Sequence, residues 1–470
     1  MVMLDVRNLK VYFQILKGTV KAVDGVSFTL DHGETMGLVG ESGCGKTTTA
    51  FAVTQLLPGN GRIVGGEIEF EEKLVAHGDI ALEVHEALKG PNWLANVRSI
   101  VKRVGGELTE HKEDKEATGE FHVLIDMDLP VLQQLLAILD LPGSEHETDE
   151  LKQKLNGVVA RLVKGSAGVR RHKRRQRMVD KELRAIRWWK VSMIFQSAMN
   201  AFNPVYRIGD QIAEALLVHR DRFQLYRCEN CRVNLAEGTE VKEPDGIHCP
   251  TCHNLVVHRD MTKKEAREKT LKLFDMVGID RSRIDGYPHE FSGGMRQRSM
   301  IAMALACGPK LLIADEPTTA LDVIMQDRIL AEIRDLQRTL GIAMIVITHD
   351  ISVVAEVAEK IGIMYAGKLF EYGNIADIFE KPGNPYTLGL MGAFPSIKGA
   401  RKKLKSIPGS PPDLMNPPTG CSFNPRCPFT QDICKQAEPL TVMVAPNHWS
   451  YCHFAKEVYA GKLREATTDG

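Results

Sequence analysis

The sequence predicts an α/β fold in which parallel strands alternate with helices around a phosphate-binding loop. The first observation is the segment GESGCGKT at 40–47, which satisfies G-x-x-x-x-G-K-[ST] between an apolar run and a helix-like stretch. The second is an alternation further along the chain, which is typical of a parallel sheet. Its helical patterns cover 295–307 and 323–340, and its apolar strands cover 310–314 and 343–348.

The first 70 residues alternate short apolar strands with turns. The strands are predicted at 4–6, 21–28, 34–39 and 66–70. A helix is expected from Lys46 to about Leu57, where Pro58 and Gly59 end it. This pattern indicates a nucleotide-binding core with a flanking antiparallel element.

The charge balance and the distribution of apolar residues exclude several classes of protein. The chain has 470 residues with 60 Lys+Arg and 60 Asp+Glu, so no overall charge attracts it to nucleic acid or anionic lipid. The N-terminal residues contain no apolar targeting segment, and no window reaches 18 uninterrupted apolar residues. We therefore expect a multidomain protein that is neither secreted nor membrane-spanning.

Two segments interrupt the core pattern. Residues 1–70, 183–217 and 262–381 are assigned to the core, and an α/β insertion of unknown role is assigned to 71–182. The insertion has a helical pattern at 131–139 and a basic run at 170–177, interpreted as a solvated face, with contact to nucleic acid or lipid headgroups as the alternative. The second interruption covers 218–261, between amphipathic helices at 211–217 and 263–277. Residues 382–470 are proline-rich, end in a cysteine-bearing segment and are predicted to form an appended domain.

The phosphate loop carries the first site. Backbone N–H groups can surround phosphates at the positive end of the following helix. The residues expected to bind ATP here are Gly40, Ser42, Gly43, Cys44, Gly45, Lys46, Thr47 and Thr48. Lys46 is expected to neutralise the β- and γ-phosphates, and the Thr47 hydroxyl to ligate Mg²⁺.

Polar residues at the ends of buried strands carry the second part of the chemistry. Asp315 and Glu316 follow the apolar run 311–314, at the strand end where α/β sheets hold their sites. We expect Asp315 to ligate Mg²⁺ and Glu316 to polarise the attacking water as general base. His349 and Gln196 end two other apolar runs. His349 is expected to hydrogen-bond the γ-phosphate, and Gln196 to reach Mg²⁺ or the water.

Taken together, these motifs resemble the ATPase subunits of ABC transporters. The resemblance rests on GESGCGKTT (40–48), Gln196, FSGGMRQR (291–298), LLIADEP (311–317), the turn 319–322 and His349, in this order. It covers residues 3–70, 183–217 and 262–455. AVDGVSF (22–28), IFQSAMNAFNPV (194–205) and the cysteine-containing tail are similar, more narrowly, to the D-type ATPase of oligopeptide and dipeptide importers. Phe291 and Met295 depart from the commoner leucine and glutamine, and match that D-type pattern.

The resemblance implies a head-to-tail dimer that holds two ATP molecules between its subunits. The signature residues Ser292, Gly293, Gly294 and Met295 then act on the partner's ATP, and Asp322 couples the two sites. It also implies that Phe13, with Tyr12 as the weaker candidate, stacks on adenine; core packing is the alternative for both.

The same resemblance implies the partners and the location. They are a second ABC ATPase, expected to be a different F-type chain, two integral-membrane permease subunits and, indirectly, an extracellular substrate-binding protein. The location is peripheral, at the cytoplasmic side of the cell membrane, and no nucleic-acid partner is expected. Two alternatives stay open: an oligosaccharide importer of the same family, and a soluble ABC ATPase acting on nucleic acid or ribosomes.

The spacing of the first four clustered cysteines predicts a zinc ribbon. Cys228-x2-Cys231 is followed, after seventeen residues, by Cys249-x2-Cys252, and such paired knuckles supply four thiolates to one Zn²⁺. A redox dithiol or free thiols are the alternatives. The ribbon is not part of the usual family pattern, and it could be a regulatory or partner-docking module.

The last four cysteines are Cys421, Cys427, Cys434 and Cys452. Their spacing fits no common zinc finger, but four thiolates can hold an iron–sulfur cluster. The resemblance to peptide-importer ATPases, some of which carry a [4Fe-4S] cluster, favours that cluster. Zinc and unmetallated thiols remain alternatives, with His448 and His453 as substitute ligands. Cys44 and Cys307 lie outside both clusters and are expected to be ordinary packed or loop residues.

Overall fold

The computed structural model forms two compact units. One comprises Met1–Ile186 and Ala343–Gly470, and the other comprises Arg187–Ile342; each is described separately. The described residues are 2–71, 73–90, 92–113, 122–141, 144, 146–163, 170, 173–174, 186–196, 201–235, 248–249, 251–318, 323–392 and 407–463.

The strands of these residues are numbered along the chain. They are β1 (Val2–Ile15), β2 (Gly18–Asp31), β3 (Thr35–Val39), β4 (Gly61–Phe70), β5 (Lys73–His77), β6 (Val191–Ile194), β7 (Tyr226–Cys228), β8 (Val256–His258), β9 (Leu311–Asp315), β10 (Ala343–Thr348), β11 (Lys360–Tyr365), β12 (Lys368–Asn374), β13 (Thr441–Ala445) and β14 (His448–Tyr451).

The α-helices are numbered in the same way. They are α1 (Lys46–Val53), α2 (Ile80–Ala87), α3 (Trp93–Glu113), α4 (His122–Leu139), α5 (Asp149–Val163), α6 (Ile208–Val218), α7 (Lys263–Met276), α8 (Gly293–Leu305), α9 (Val323–Leu340), α10 (Ile351–Val357), α11 (Ile375–Glu380), α12 (Pro385–Gly392), α13 (Asp432–Gln436) and α14 (Ala455–Tyr459). Two 3-10 turns lie at Arg281–Asp285 and Pro288–Glu290. No helix of the described residues is long and apolar enough to cross a membrane.

An antiparallel sheet of the first unit has the order β2-β1-β4-β5. Both β1 and β2 have 14 residues, far more than the short strands predicted at 4–6 and 21–28. Shifts in register between Val6 and Leu9 and between Val11 and Tyr12 interrupt the alternation of apolar and polar residues along β1. Such bulges hide the period of two by which a strand is recognised.

The other sheet of the first unit positions the phosphate loop. Strand β3 pairs in parallel with both β10 and β11, and β11 pairs antiparallel with β12. Every residue of β3 and β10 is buried, as expected for strands covered on both faces. Hairpin β13–β14 extends this sheet, because β14 pairs with β12. The C-terminal segment, predicted as an appended domain, therefore belongs to the first unit.

The insertion that was expected to be α/β is mainly helical in its described residues. Strand β5 pairs with β4, and α2, α3, α4 and α5 then pack around an apolar core of their own. That core includes Ile80, Val97, Leu135 and Leu155, each of which is buried. The helical pattern predicted at 131–139 lies in α4, whereas most of the basic run 170–177 lies outside the described residues.

The second unit contains the parallel pair β6 and β9 with helices α6 to α9, as the alternating pattern predicted. The amphipathic helices expected at 211–217 and 263–277 are α6 and α7. A capping box fixes the start of α7, where the Thr262 hydroxyl accepts from the N–H of Glu265 and the Glu265 carboxylate accepts from the N–H of Thr262. Strands β7 and β8 form a small antiparallel pair between these helices in sequence.

Candidate functional site

The phosphate loop follows β3 directly and leads into α1, as the motif requires. At two positions of the loop, steric contacts allow only glycine. A Cβ on Gly40 would lie 2.1 Å from the carbonyl oxygen of Met364, and one on Gly45 would lie 2.3 Å from that of Ala22. Gly45 also has φ +108°, which side-chain-bearing residues rarely adopt. The loop thus lies so close to neighbouring backbone that only glycine fits at these two positions.

Lys46 is buried over the loop. Its ammonium donates to the carbonyl oxygens of Gly40, at 2.7 Å, and Glu41, at 3.0 Å. Its Nζ also lies 3.7 Å from the sulfur of Cys44. Burial raises the pKa of the Cys44 thiol, so this side chain is a neutral neighbour of the lysine. The loop therefore combines a fixed cation with the N-terminal end of a helix, which is an arrangement suited to phosphate.

His349 lies at the same edge of the sheet as the phosphate loop. Strand β10 pairs in register with β3, so that Thr348 is opposite Val39. His349 and Gly40 each follow one of these two paired residues, and the His349 side chain is exposed. The first unit thus brings together two of the predicted site elements.

The two aromatic candidates for adenine differ in their surroundings. Tyr12 is 5% exposed, packs with Val64 and Leu82, and donates its hydroxyl to Asp24 at 2.8 Å. A helix of the insertion therefore contributes to its burial, and Tyr12 has no open ring face for a base. Phe13 is half-buried on the same strand, and it remains the candidate for stacking.

In the second unit, the acidic strand end and Gln196 come together as expected. Ile194 of β6 is paired with Ala314 of β9, so the chain that follows each strand leaves the same edge. Gln196 donates from its side-chain amide to the Glu316 carboxylate at 2.6 Å. Asp315 is buried, and Glu316 has a φ of +46°. Positive φ is uncommon for a residue with a side chain, and such strain concentrates at functional sites.

The signature residues form the start of α8. Ser292 caps this helix, and its hydroxyl accepts from the N–H of Met295 at 3.3 Å. Ser292 is exposed, and Gly293, Gly294 and Met295 are half-buried. The helix has 13 residues, so its N-terminal N–H groups present a positive end to an anion. Asp322, the predicted coupling residue, lies outside the described residues.

The four ribbon cysteines converge as their spacing predicted. Their sulfur atoms all lie within 4.8 Å of one another, and zinc bound to four thiolates holds its sulfurs about 3.8 Å apart. Cys228 and Cys249 are each followed four residues later by a left-handed residue, Arg232 and His253. Each of these two donates its N–H back to the first cysteine's carbonyl. Both knuckles therefore make the same turn.

The four C-terminal cysteines line one cavity. Its walls also include the aromatic rings of Phe370, Phe423, Phe429 and Phe454. Burial, as the larger cause, and neighbouring thiols together raise the pKa of Cys421 to about 11 and that of Cys452 to about 12. These thiols hold their protons near neutral pH unless a cation replaces them.

The two histidines considered as substitute ligands have other partners. His448 is fully buried and its Nε2 lies 2.7 Å from the Glu371 carboxylate. His453 lines the cavity, but its Nε2 lies 3.0 Å from the carbonyl oxygen of Ala437. The four cysteines therefore remain the candidate ligands. Cys307 lies elsewhere, and its thiol donates to the Ala215 carbonyl.

Two side chains at the phosphate loop were not predicted. The hydroxyl of Tyr386 accepts from the N–H of Glu41, and the Arg426 guanidinium binds the Glu41 carboxylate. Arg426 is 385 residues from Glu41 in the sequence. No local spacing in the sequence indicates such a pair. The only sequence feature that drew attention to Arg426 is its position between two candidate ligand cysteines.

Two family models match this chain. The family model described as "ABC transporter" matches residues 23–124 and 159–319. The model described as "Oligopeptide/dipeptide transporter, C-terminal region" matches residues 370–434. The first match includes the phosphate loop, the signature and the acidic strand end, and the second includes three of the four C-terminal cysteines.

Curated relatives match over most of their length. The oligopeptide transport ATP-binding protein OppD of Escherichia coli (strain K12) is 34% identical over 93% of this chain and 89% of its own. The dipeptide transport ATP-binding protein DppD of Bacillus subtilis (strain 168) is 34% identical over 96% of this chain and 93% of its own. These relatives favour neither the oligosaccharide alternative nor the one acting on nucleic acid. The chain belongs to the ABC transporter family, among the ATP-binding proteins of oligopeptide and dipeptide transport.

Proposed function

We propose that this chain binds and hydrolyses ATP to drive the import of dipeptides or oligopeptides. The observation that carries the proposal is the combination of a formed phosphate loop, with Lys46 over its carbonyls, and the transporter-type C-terminal region at 370–434. The two relatives named above have peptide transport in their names.

The proposed hydrolysis depends on positioning and charge. Backbone N–H groups of the loop and Lys46 hold the phosphates of ATP, and Phe13 stacks on its base. Glu316 accepts the proton of the attacking water. Gln196 donates a hydrogen bond to the Glu316 carboxylate and orients that carboxylate. His349 donates to the γ-phosphate. We propose that Ser292 and Gly294 bind the γ-phosphate of an ATP held by a partner chain, and that Asp322 couples the two sites.

Magnesium fits the residues proposed for it. Thr47, Asp315 and Gln196 offer a hydroxyl, a carboxylate and an amide oxygen, and Mg²⁺ prefers such hard oxygen donors. When bound, the ion neutralises negative charge on the phosphates.

The proposed assembly follows from family membership. We propose that a second ATPase chain of the F type completes the dimer, and that two permease subunits anchor the pair at the cytoplasmic side of the membrane. Peptide cargo then reaches the permeases from an extracellular binding protein. Recovery of an integral-membrane permease pair with the tagged chain supports this assembly, whereas recovery of ribosomes or DNA in its place contradicts it.

We propose a metal site for each of the two cysteine clusters. The convergence of four sulfurs within 4.8 Å supports one structural Zn²⁺ in the ribbon, held by Cys228, Cys231, Cys249 and Cys252. For Cys421, Cys427, Cys434 and Cys452 we propose a [4Fe-4S] cluster, because four thiols line a cavity with aromatic walls. Zinc in the second cluster is the alternative, and elemental analysis with an absorption spectrum separates the two.

The proposed hydrolysis is tested by Glu316→Gln. Because the amide cannot accept the proton of water, we expect turnover to fall about 10²- to 10⁴-fold while ATP still binds. ATP binding and phosphate release are measured on the same preparation. Glu380→Gln, at an exposed carboxylate of α11, is the control and should hydrolyse ATP normally. Undiminished phosphate release by Glu316→Gln would refute the assignment of the base.

A further inference from the structure

The C-terminal cysteine segment contacts the phosphate loop through one ion pair. The Arg426 guanidinium donates to both carboxylate oxygens of Glu41, with distances of 2.8 Å from Nη1 to Oε2 and 3.0 Å from Nη2 to Oε1. The Arg426 side chain is only 7% exposed and that of Glu41 is 24% exposed. A two-pronged, largely buried pair of this kind fixes the direction of the carboxylate as well as its distance.

Arg426 is itself held on every side. Its Nε donates to the carbonyl oxygen of Pro408 at 2.7 Å, and its Nη2 to that of Gly409 at 3.3 Å. Its Nη1 donates to the hydroxyl of Tyr365 at 3.1 Å. Because the guanidinium is planar, these bonds together allow one orientation of the fork. The direction of the Glu41 carboxylate therefore depends on the position of the Arg426 backbone.

That backbone lies within the cysteine cluster. Arg426 directly precedes Cys427, and the N–H groups of both donate to the carbonyl oxygen of Phe423. The same turn begins at Cys421, whose N–H donates to the carbonyl oxygen of Cys434. The position of Arg426 thus depends on three cysteines that line the cavity.

Glu41 in turn belongs to the loop that holds phosphate. Its carbonyl oxygen accepts from Lys46 Nζ, and its N–H donates to the hydroxyl of the buried Tyr386. Side chain, N–H and carbonyl of this one residue are therefore all engaged. A change in the direction of the Glu41 side chain would displace the carbonyl on which Lys46 rests.

We propose that Arg426 is a positioning residue for ATP, and that it makes the affinity of the phosphate loop depend on the metal content of the C-terminal cysteine cluster. The metal-dependent part rests on the proposed function of those cysteines as metal ligands. A loaded cluster holds the turn 421–427 and, through Arg426, keeps Glu41 and the loop in their binding conformation. An empty cluster releases the turn and weakens ATP binding.

A double-mutant cycle tests the positioning role. Glu41→Gln, Arg426→Gln and the double variant are compared by equilibrium binding of a fluorescent ATP analogue with Mg²⁺. Each single variant should bind about tenfold more weakly, and the double variant no more weakly than either, because both changes break the same pair. KM should rise while kcat at saturation is kept, and Arg426→Lys, which keeps the charge, should recover part of the affinity.

Lys360→Gln is the matched control. The Nζ of Lys360 lies 2.9 Å from the Glu34 carboxylate, and the Lys360 side chain is 17% exposed. Lys360 begins β11 and lies opposite Met36, near the start of β3, whereas the phosphate loop follows the end of β3. This variant should lower the melting temperature and leave the Kd for ATP unchanged. Wild-type affinity in Glu41→Gln and Arg426→Gln, or effects that multiply in the double variant, would overturn the positioning role.

Removal of metal tests the dependence on the cluster. Iron and zinc are measured before and after chelation of the whole protein, and the Kd for ATP is measured on the same samples. Loss of metal should weaken binding about tenfold in the wild type and not further in Arg426→Gln. Cys434→Ser should act like chelation, whereas Cys249→Ser, which empties only the ribbon, should leave the Kd unchanged.

The possible failures can be told apart. Protein that holds no metal at Cys421–Cys452 contradicts the proposed cluster and with it the metal dependence, while the double-mutant cycle still decides the role of Arg426. A metal-bearing protein whose Kd for ATP survives chelation overturns the coupling and leaves the proposed cluster intact. Circular dichroism of the chelated wild type confirms that the comparison is made on folded protein.

Discussion

The two four-cysteine clusters of this chain have the same number of candidate ligands and very different surroundings. Of the ribbon cysteines, Cys228 ends the three-residue strand β7, and the other three lie outside β7 and the equally short β8. Few buried apolar residues accompany them in the described part of 218–261, and these include Phe223, Leu225 and Leu235. So small a segment does not form a stable core without a metal or another crosslink.

The C-terminal cysteines lie instead against an established core. Phe423, between the first two of them, packs edge-on against Tyr365 and Tyr386, each with ring centroids 5.3 Å away. Hairpin β13–β14 is paired to β12, and Asn384 donates to the carbonyl oxygens of Phe370 and Tyr451. This segment therefore has contacts that keep it folded against the core whatever its cysteines bind.

The comparison indicates what each metal can do for the protein. In the ribbon, the proposed Zn²⁺ would supply the folding free energy, so losing it would mean losing the structure. In the C-terminal segment, the proposed cluster would add to a fold that already exists, so its loss would change local geometry without unfolding the chain. Only the arrangement of the C-terminal segment allows the metal content to change the affinity for ATP reversibly.

Cys249→Ser should have the largest effect, because it removes a ligand from the segment that has no core of its own. We expect the ribbon to lose the zinc proposed for it and, with that zinc, on the order of 10 kcal/mol of local stability. Zinc content and the rate of proteolytic cleavage within 218–261 report this loss. Cys307→Ser, at a buried thiol of the same unit, should change neither. A zinc-free ribbon that still resists protease would remove the contrast between the two clusters.

Phe423→Ala should have the next largest effect, and it should not depend on metal. Phe423 is 2% exposed, and truncation of a buried phenylalanine costs about 3 to 5 kcal/mol. Urea unfolding of chelated wild type and chelated variant measures this difference. Phe379→Ala, at a side chain that is 40% exposed, should cost about 1 kcal/mol or less. A difference that vanishes after chelation would mean that metal, and not the aromatic core, holds this segment.

The sequence predicted what depends on local patterns. The helix predicted at 295–307 is α8, which begins at Gly293 after its cap Ser292, and the paired spacing of Cys228 and Cys249 predicted that their knuckles meet. These features are encoded within a few residues, by a capping side chain or by a repeated turn. The acidic strand end at Asp315 was predicted for the same reason.

What the sequence did not reveal depends on contacts between distant segments. Tyr12 was a candidate for adenine until Leu82, 70 positions further on, proved to cover it. The pair of Glu41 and Arg426 spans 385 positions, and no period or spacing signals it. The full length of β1 was missed because bulges break its alternation. Tertiary packing decided each of these, not local preference.

The smallest expected effect concerns how the ribbon is joined to α7. Arg259, directly after β8, binds the Glu265 carboxylate with two nitrogens, and Glu265 also closes the capping box with Thr262. Hydrogen bonds from Arg259 lower the pKa of Glu265 to about 2. This junction is polar and half-exposed, unlike the aromatic core that holds the C-terminal segment.

Because its folded-state pKa lies below the ordinary value of 4.5, Glu265 stabilises the folded chain fully above pH 4.5. This contribution is lost as the pH falls from 4.5 towards 2. Glu265→Gln should cost about 1 kcal/mol at neutral pH, and the difference from wild type in urea unfolding should shrink over that acid range. Glu268→Gln, at an exposed carboxylate of the same helix, should show no such convergence. If the two variants respond alike to pH, the ion pair of Arg259 and Glu265 does not stabilise the junction, and burial holds it as it holds the C-terminal segment. The proposed contrast between a polar attachment of the ribbon and an aromatic attachment of the C-terminal segment would then be wrong.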